Sequence, residues 1–529
     1  MSIHAVTDDH PTYDGRKSAT GLRAITENLA RRRAEAVDGP APRQQAGRKL
    51  TARERIELLL DEGTFVETGQ LVRHRATAFG IGINRPDTDG VVTGWGLVDG
   101  RRIFVYAQDP RVFGGSVGEA HARKVHTLMD LAESTRCPIV AINDGGGARI
   151  QEGVASLAGV GGIFARSVHM SGVVPQLAVV LGSCAGGAAY APALNDVIFM
   201  VRQTSNMFVT GPDVVAQVTG EQVSPCELGG AEIHGASSGL ATFVYDDEEE
   251  CLLEVRYLLS FLPSHNEERP PRFEPLQRRY NGENLLDVVP SDPRVGYDVR
   301  QVLDHIVDDG EYLEFHADWA TNVVCALSRL GGEVVGFVAN QPAVRAGVLD
   351  AAAAEKAARF VRTCDAFNIP LVSLVDVPGF LPGVDQEHSG LIRRGAKLLY
   401  AYCEATVPRV QVILRKAYGG AYIVMNSKSI GADLCLAWPG NEIAVMGAQA
   451  AARVIFRREI EAASDPKARS AELIEQYERT ITPFLPAELG VVDDIIDPRE
   501  TRQRLVEALA MLRTKCTDLA RRKHGNIPL

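Results

Sequence analysis

The chain has 529 residues, 45% of them hydrophobic and 23% charged, with a net charge of −11 from 56 Lys and Arg against 67 Asp and Glu. That length is too great for one ordinary core and predicts two domains of roughly 200 residues or more. The acidic balance excludes a general nucleic-acid or anionic-membrane surface but leaves room for a local basic pocket.

Nine cysteines are scattered without any C-x-x-C pair, which suggests neither a zinc ribbon nor a disulfide framework and predicts a reducing, cytoplasmic setting. The first residues, MSIHAVTDDHPTYDG, have no apolar signal-like core, and no run of about 18 apolar residues occurs. Neither export nor a membrane span is expected.

Residues 1–45 are polar and read as a mobile or helical arm, with Arg31, Arg32 and Arg33 on a solvated face. A first domain is expected over 46–270, opening on the amphipathic helical pattern LTARERIELLL (50–60). VVTGWGLVDGRRIFVYAQ (91–108) alternates around Asp99-Gly100 and predicts a hairpin. A charged, proline-bearing stretch places a linker at 271–284, and a second domain fills 285–529.

The two halves repeat each other. FVYAQD (104–109) is answered by FVANQP (337–342), and CPIVAIND (137–144) by IPLVSLVD (369–376). Lys124 and Lys356, Pro138 and Pro370, and Asp144 and Asp376 are each 232 residues apart. One residue of slip then brings Gly-Gly-Ala at 186–188 onto Gly-Gly-Ala at 419–421. Each copy reads as a helix, an apolar strand ending in Asp and a glycine-bearing loop, DGGGARIQEG (144–153) or DVPGFLPG (376–383). A second helix and a second apolar strand follow, ending in the Gly-Gly-Ala turn. Continuous apolar strands are buried on both faces, so the fold class is α/β, duplicated in tandem.

The turn GSCAGGAAY (182–190) has the Gly-x-Cys-x-Gly spacing of a nucleophile elbow. The second copy places Ala417 where the first has Cys184, so the reading favours a small buried residue over a thiol nucleophile. Both copies keep small residues at the strand-to-helix junction, Ala185-Gly186-Gly187 and Gly419-Gly420-Ala421. Helix-initial N–H groups lack intrahelical partners, and small residues let a ligand oxygen approach them. With a donor from the preceding glycine-bearing loop, each junction makes an oxyanion hole. Two holes imply two oxyanions in one reaction, as in transfer between two carbonyl-bearing groups.

RERIELLLDEGTFVE (53–67), FGGSVGEAHARK (113–124), NDGGGARIQEGV (143–154), CAGGAAYAP (184–192), FNIPLVSLVDVPGFLPG (367–383), KAYGGAY (416–422) and AWPGNEIAVMG (437–447) resemble the carboxyltransferase (beta) subunit of biotin-dependent acyl-CoA carboxylases, from about 50 to 520. The resemblance implies a crotonase-like ββα-spiral in each half, the first holding acyl-CoA and the second the carboxybiotin of a separate carrier protein. It implies a homohexamer partnered by a biotin carboxylase and biotin carboxyl carrier (alpha) subunit, with sites shared between subunits, and no metal bound by this subunit. The product would be malonyl-CoA or an alkylmalonyl-CoA, from acetyl-CoA, propionyl-CoA or a longer substrate.

On the same basis Ala185 and Gly186, aided by Gly145 and Gly146, would hold the thioester oxygen. Gly420 and Ala421, next to Gly419 and aided by Gly379 and Phe380, would hold the biotin ureido oxygen. The ureido anion would be the base. Tyr422 and Ile423 would border the substrate pocket, and apolar Ile423 departs from the acidic residue common in propionyl-CoA-preferring members. Arg149, Lys124 and Arg166 are candidates for CoA phosphates and equally for surface helix positions, as is Lys428; Tyr190 and Tyr422 are expected to pack as core aromatics. A biotin-dependent decarboxylase subunit, a single-domain enoyl-CoA hydratase or isomerase, and a non-catalytic scaffold are the competing readings.

Overall fold

The computed structural model describes residues 21–38, 49–274, 282–482, 484–517 and 520–529. The rest of the arm and linker residues 275–281 lie outside the described residues. Within the arm, Leu22–Asp38 is a helix, and Arg32, expected on a solvated face, pairs with Asp87 at 3.2 Å.

The first sheet comprises β1 (Val66–Thr68), β2 (Val91–Val98), β3 (Arg101–Gln108), β4 (Ile139–Gly145), β5 (Gln176–Ala185), β6 (Val197–Val201), β7 (Asn206–Phe208) and β8 (Phe243–Tyr245). The second comprises β9 (Tyr312–Phe315), β10 (Val323–Leu330), β11 (Glu333–Asn340), β12 (Leu371–Val377), β13 (Arg409–Tyr418), β14 (Leu434–Ala437), β15 (Glu442–Ala444) and β16 (Asp494–Ile495). Their orders match: β1-β2-β3-β4-β5-β6-β8 with β7 on β5, and β9-β10-β11-β12-β13-β14-β16 with β15 on β13. The predicted hairpin is β2–β3, closed by Asp99 and Gly100 at φ 49° and 76°. From β3 in the first sheet and β11 in the second the pairings are parallel, and every residue of β4 and β12 is buried, as continuous apolar runs require.

Both sheets slip register at one place. Asn143 faces Val180 and Gly145 faces Cys184; Val375 faces Ile413 and Val377 faces Ala417. The residue inside each irregularity is an aspartate, Asp144 or Asp376, and the bulge re-aims its side chain. Asp144 lies against the Gly182 backbone, where a Cβ would come 1.8 Å from its Oδ1. Asp144 accepts from Arg55 Nη1 at 3.0 Å and Lys49 Nζ at 3.1 Å. Asp376 accepts from Arg415 Nε at 3.0 Å and the Lys416 N–H at 3.2 Å. Backbone N–H groups of the two aspartates donate to Gln108 Oε1 and Asn340 Oδ1, again 232 residues apart.

One apolar cluster runs through both halves. Phe315 meets Phe243 and Phe360 edge-on, with ring centroids 5.0 and 5.1 Å away. The seam is bonded as well: the His316 N–H donates to Thr242 O at 3.0 Å, and Arg359 Nη2 to Asn195 O at 2.9 Å. Among the described residues no helix is long and apolar enough to cross a membrane.

Candidate active site

Gly186 and Gly419 end β5 and β13 with φ of +61° and +58°, a region that favours glycine, and the helices Gly187–Ala193 and Gly419–Val424 start there. The Gly186 N–H donates to Phe208 O at 3.1 Å, tying the turn to β7. That commitment removes one of the expected donors and leaves Gly187 and Ala188, first in the helix, as the amides without an intrahelical carbonyl. In the second copy Gly420 is exposed and Ala421 buried, and a Cβ on Gly420 would meet nothing within 4 Å.

The loop after β4 also assigns its amides. Gly145 is buried, and a Cβ there would fall 2.4 Å from Gly115 O; the Gly146 N–H donates to Gly114 O at 3.0 Å. The Gly146 amide is thereby committed to the loop. Val117 bridges Ala148 in parallel, its N–H donating to Gly147 O at 2.8 Å and its carbonyl accepting from the Arg149 N–H at 2.9 Å. Val117 makes both bonds, so the N–H of Ala148 faces the opposite side. The second copy repeats this: the Leu349 N–H donates to Gly379 O at 3.0 Å, and Leu349 O accepts from the Leu381 N–H at 2.7 Å, around Phe380. The equivalents of Gly379 and Phe380 are therefore Gly147 and Ala148, two residues beyond Gly145 and Gly146. The constant offset of 232, carried through the loop, identifies them.

In the first half loop and turn touch. A Cβ on Gly147, at φ +92°, would lie 2.7 Å from Ala185 O. Phe380 is fixed by its ring, which would lie 3.3 Å from a Cβ on Gly395.

The other candidates separate cleanly. Cys184 is fully buried, its Sγ 3.6 Å from Ala188 O, and burial pushes its thiol up to about 12. It holds its proton at neutral pH and is no nucleophile. Tyr422 is buried, whereas Ile423 is 41% exposed on the outer face of its helix. Tyr190, expected in the core, is half exposed and edge-on to Phe164. Arg149 and Lys124 are buried, Lys124 donating to Thr88 O at 3.1 Å; Arg166 pairs with Asp130 at 2.6 Å, and Lys428 with Asp493. None of these four presents a free cation to a phosphate. Among the described residues no three or more His, Cys, Asp and Glu side chains group to hold a metal ion.

A cavity of about 680 Å³ lies elsewhere, bordered by Pro370 and Pro408 at the amino ends of β12 and β13. Both loop-and-turn pairs sit at the carboxyl ends of their strands, where open α/β sheets bind ligands.

The carboxyl transferase domain family matches residues 42–527. A propionyl-CoA carboxylase carboxyltransferase subunit from Haloferax mediterranei is 53% identical over 509 residues, 95% of this chain and 99% of that protein. A methylmalonyl-CoA decarboxylase alpha subunit from Propionigenium modestum is 50% identical over 491 residues, 92% of this chain and 95% of that one. Transcarboxylase 12S, solved as a hexamer with methylmalonyl-coenzyme A bound, is similar with a TM-score of 0.94 and 50% identity, over 98% of this chain and all of the other.

Proposed function

The chain belongs to the carboxyl transferase family of enzymes, and from that premise we propose that it moves a carboxyl group between biotin on a separate carrier protein and the α-carbon of a short acyl-CoA, of the propionyl-CoA and methylmalonyl-CoA type. The observation that carries this reading is the repetition of one donor pair. In each half a loop amide facing away from its bridge follows a strand whose end is paired with the strand leading into a helix opened by a left-handed glycine. Ala148 with Gly187 holds the thioester oxygen as the α-carbon gains carbanion character. Phe380 with Gly420 holds the ureido oxygen, and open space above Gly420 suits a ring brought close to the backbone. Donors placed in advance are typically worth a few kcal/mol each as charge develops.

Biotin supplies the carboxyl group and a basic ureido nitrogen. The protein's own part is to hold two oxygens and exclude water, so no side-chain base is required of it.

Large apolar side chains flank both sites while exposed: Ile150, Val154 and Val209 beside the first, Val384, Ile392 and Val445 beside the second. Apolar surface around a polar site fits a subunit contact, and the hexamer of the similar transcarboxylase 12S supports a homohexamer in which the first site of one subunit faces the second of another. Ile423 then borders the acyl chain and favours apolar extension over an acidic neighbour.

The relationship to a decarboxylase subunit at 50% identity supports the reverse direction equally. The same donors serve both directions, which leaves direction to the partner subunits.

Purified protein given methylmalonyl-CoA or malonyl-CoA with biocytin should release propionyl-CoA or acetyl-CoA only when biocytin is present. A hexamer that binds acyl-CoA yet shows no biocytin-dependent turnover would favour the scaffold reading.

A further inference from the structure

Lys124 and Lys356 do one job twice. Each is buried, and each donates to carbonyls of a turn containing left-handed, non-glycine residues: Lys124 to Thr88 O, Lys356 to His316 O at 2.9 Å and Trp319 O at 3.0 Å. A buried lysine that ties down the same turn in both halves serves the shared fold. Charges present in one half alone call for another explanation.

Such a cluster surrounds Arg149, the residue after Ala148. Its side chain is wholly buried. Nη1 donates to Asp89 Oδ1 at 2.7 Å and Glu152 Oε1 at 2.8 Å, and Nη2 to Ser116 O at 2.9 Å and Asp89 O at 3.3 Å. The guanidinium lies over the Phe113 ring, 4.7 Å from its centroid. Each partner is tied to a further element. Asp89 Oδ2 accepts from the His121 N–H at 2.9 Å, and Glu152 Oε2 from the Glu119 N–H at 2.7 Å at the start of the helix Glu119–Thr135. Asp89 sits at φ +50°, a strained setting for a non-glycine residue.

In the second half, 232 residues on, the corresponding residues are Leu381 for Arg149, Thr321 for Asp89, Val384 for Glu152 and Val348 for Ser116. The bridge around Phe380 forms without any of these charges. Burying a guanidinium with two carboxylates is a poor source of stability, because desolvation offsets the Coulombic gain. The two donors are thus fixed by different means, Phe380 by its own ring over Gly395, and Ala148, whose single methyl packs against the edge of an apolar cluster, chiefly by the ion pairs of its neighbour.

We propose that Arg149, with Asp89 and Glu152, is a positioning residue specific to the acyl-CoA half-reaction, holding the Ala148 N–H at the thioester oxygen. This rests on Ala148 being the donor, and the first variant tests that separately. Ala148→Pro removes the N–H without touching either bond of the Val117 bridge. The others are Arg149→Met, Arg149→Lys and the milder Glu152→Gln, all in the full-length oligomer. Readouts are transfer from methylmalonyl-CoA to biocytin, breakdown of N-carboxybiotin without acyl-CoA, and amide exchange in residues 143–153 and 375–385.

For Ala148→Pro, transfer is lost while N-carboxybiotin breakdown continues. For Arg149→Met, kcat for transfer falls about 100-fold, the loss expected when a reacting group is misplaced by an ångström. The KM for methylmalonyl-CoA stays within about threefold, N-carboxybiotin breakdown is unchanged, and exchange accelerates in 143–153 alone. Arg149→Lys recovers part of kcat; Glu152→Gln loses about tenfold, and decides the matter should Arg149→Met fail to assemble. Full transfer by Ala148→Pro would overturn the donor assignment. An inactive Ala148→Pro beside normal Arg149→Met and Glu152→Gln, or equal loss of both half-reactions in the Arg149 and Glu152 variants, would overturn the positioning role.

Discussion

Cys184 and Ala417 occupy the same place in a repeated turn, each two residues before a left-handed glycine, Gly186 at φ +61° or Gly419 at φ +58°. The repeat shows that the turn closes without sulfur. Cys184→Ala should therefore keep transfer within about twofold of the parent and cost about 1 kcal/mol from the small cavity left. Thermal unfolding and steady-state transfer measured together check both figures; a loss beyond tenfold in a folded oligomer would restore the thiol to the mechanism.

Two glycines near the sites should behave in opposite ways. Gly420 has open space where a Cβ would go, whereas Gly147, at φ +92°, would press a Cβ to 2.7 Å from Ala185 O. Gly420→Val should fold and assemble normally while losing transfer by about 100-fold or more, because the added methyls would cover the amide proposed to hold the ureido oxygen. Gly147→Ala should lower the unfolding midpoint instead, through backbone strain of about 1–3 kcal/mol. Equal thermal stability of the two variants would contradict this division.

The duplication was legible because it is written in apolar strands and in an offset of 232 that shifts by only one residue before the Gly-Gly-Ala turn; the two sheets share one strand order. The strand-end loop and the Gly-Gly-Ala turn of each half were legible in position, the hydrogen-bonding of their amides less so. Whether an N–H is free depends on a carbonyl distant in sequence, such as Phe208 O for Gly186, and such partners leave no local pattern. Arg149 looked like a helix-surface cation because its partner Asp89 lies 60 residues away. A charge that pairs across a fold reads, in one dimension, like any solvated charge.

Arg55 links the opening helix of the first half to Asp144 beside the loop. It is fully buried, donating to Glu248 at 2.8 and 2.9 Å and to Asp144 at 3.0 Å. Arg55→Met leaves Glu248 without this partner in the interior and Asp144 with Lys49 as its ion-pair partner among the described residues, so a destabilisation of about 3–5 kcal/mol is expected. Arg55→Met combined with Glu248→Gln should recover part of it. Denaturant titration of both variants measures the difference, and an equal loss in single and double variants would show that the ion pair is not what Arg55 contributes.

The seam between the halves should be sensitive to acid through His316. Its N–H donates to Thr242 O across the seam, its carbonyl accepts from Lys356, and its ring meets Trp319 edge-on. Burial, with Lys356 and Arg359 close by, pushes the imidazole down to about 3. An unfolded histidine titrates near 6.5. Between these values the unfolded chain binds a proton that the folded chain refuses, so stability falls as pH drops from about 6.5 toward 3. By pH 5 the loss attributable to this ring should be about 1 kcal/mol, after allowance for partial solvent access. His316→Asn keeps a residue that tolerates the observed φ of +52° and removes the titration. The difference in unfolding free energy between parent and variant should change by that amount between pH 7 and pH 5, in the direction that favours the variant at low pH. A pH-independent difference would mean that the ring takes up its proton without opening the seam.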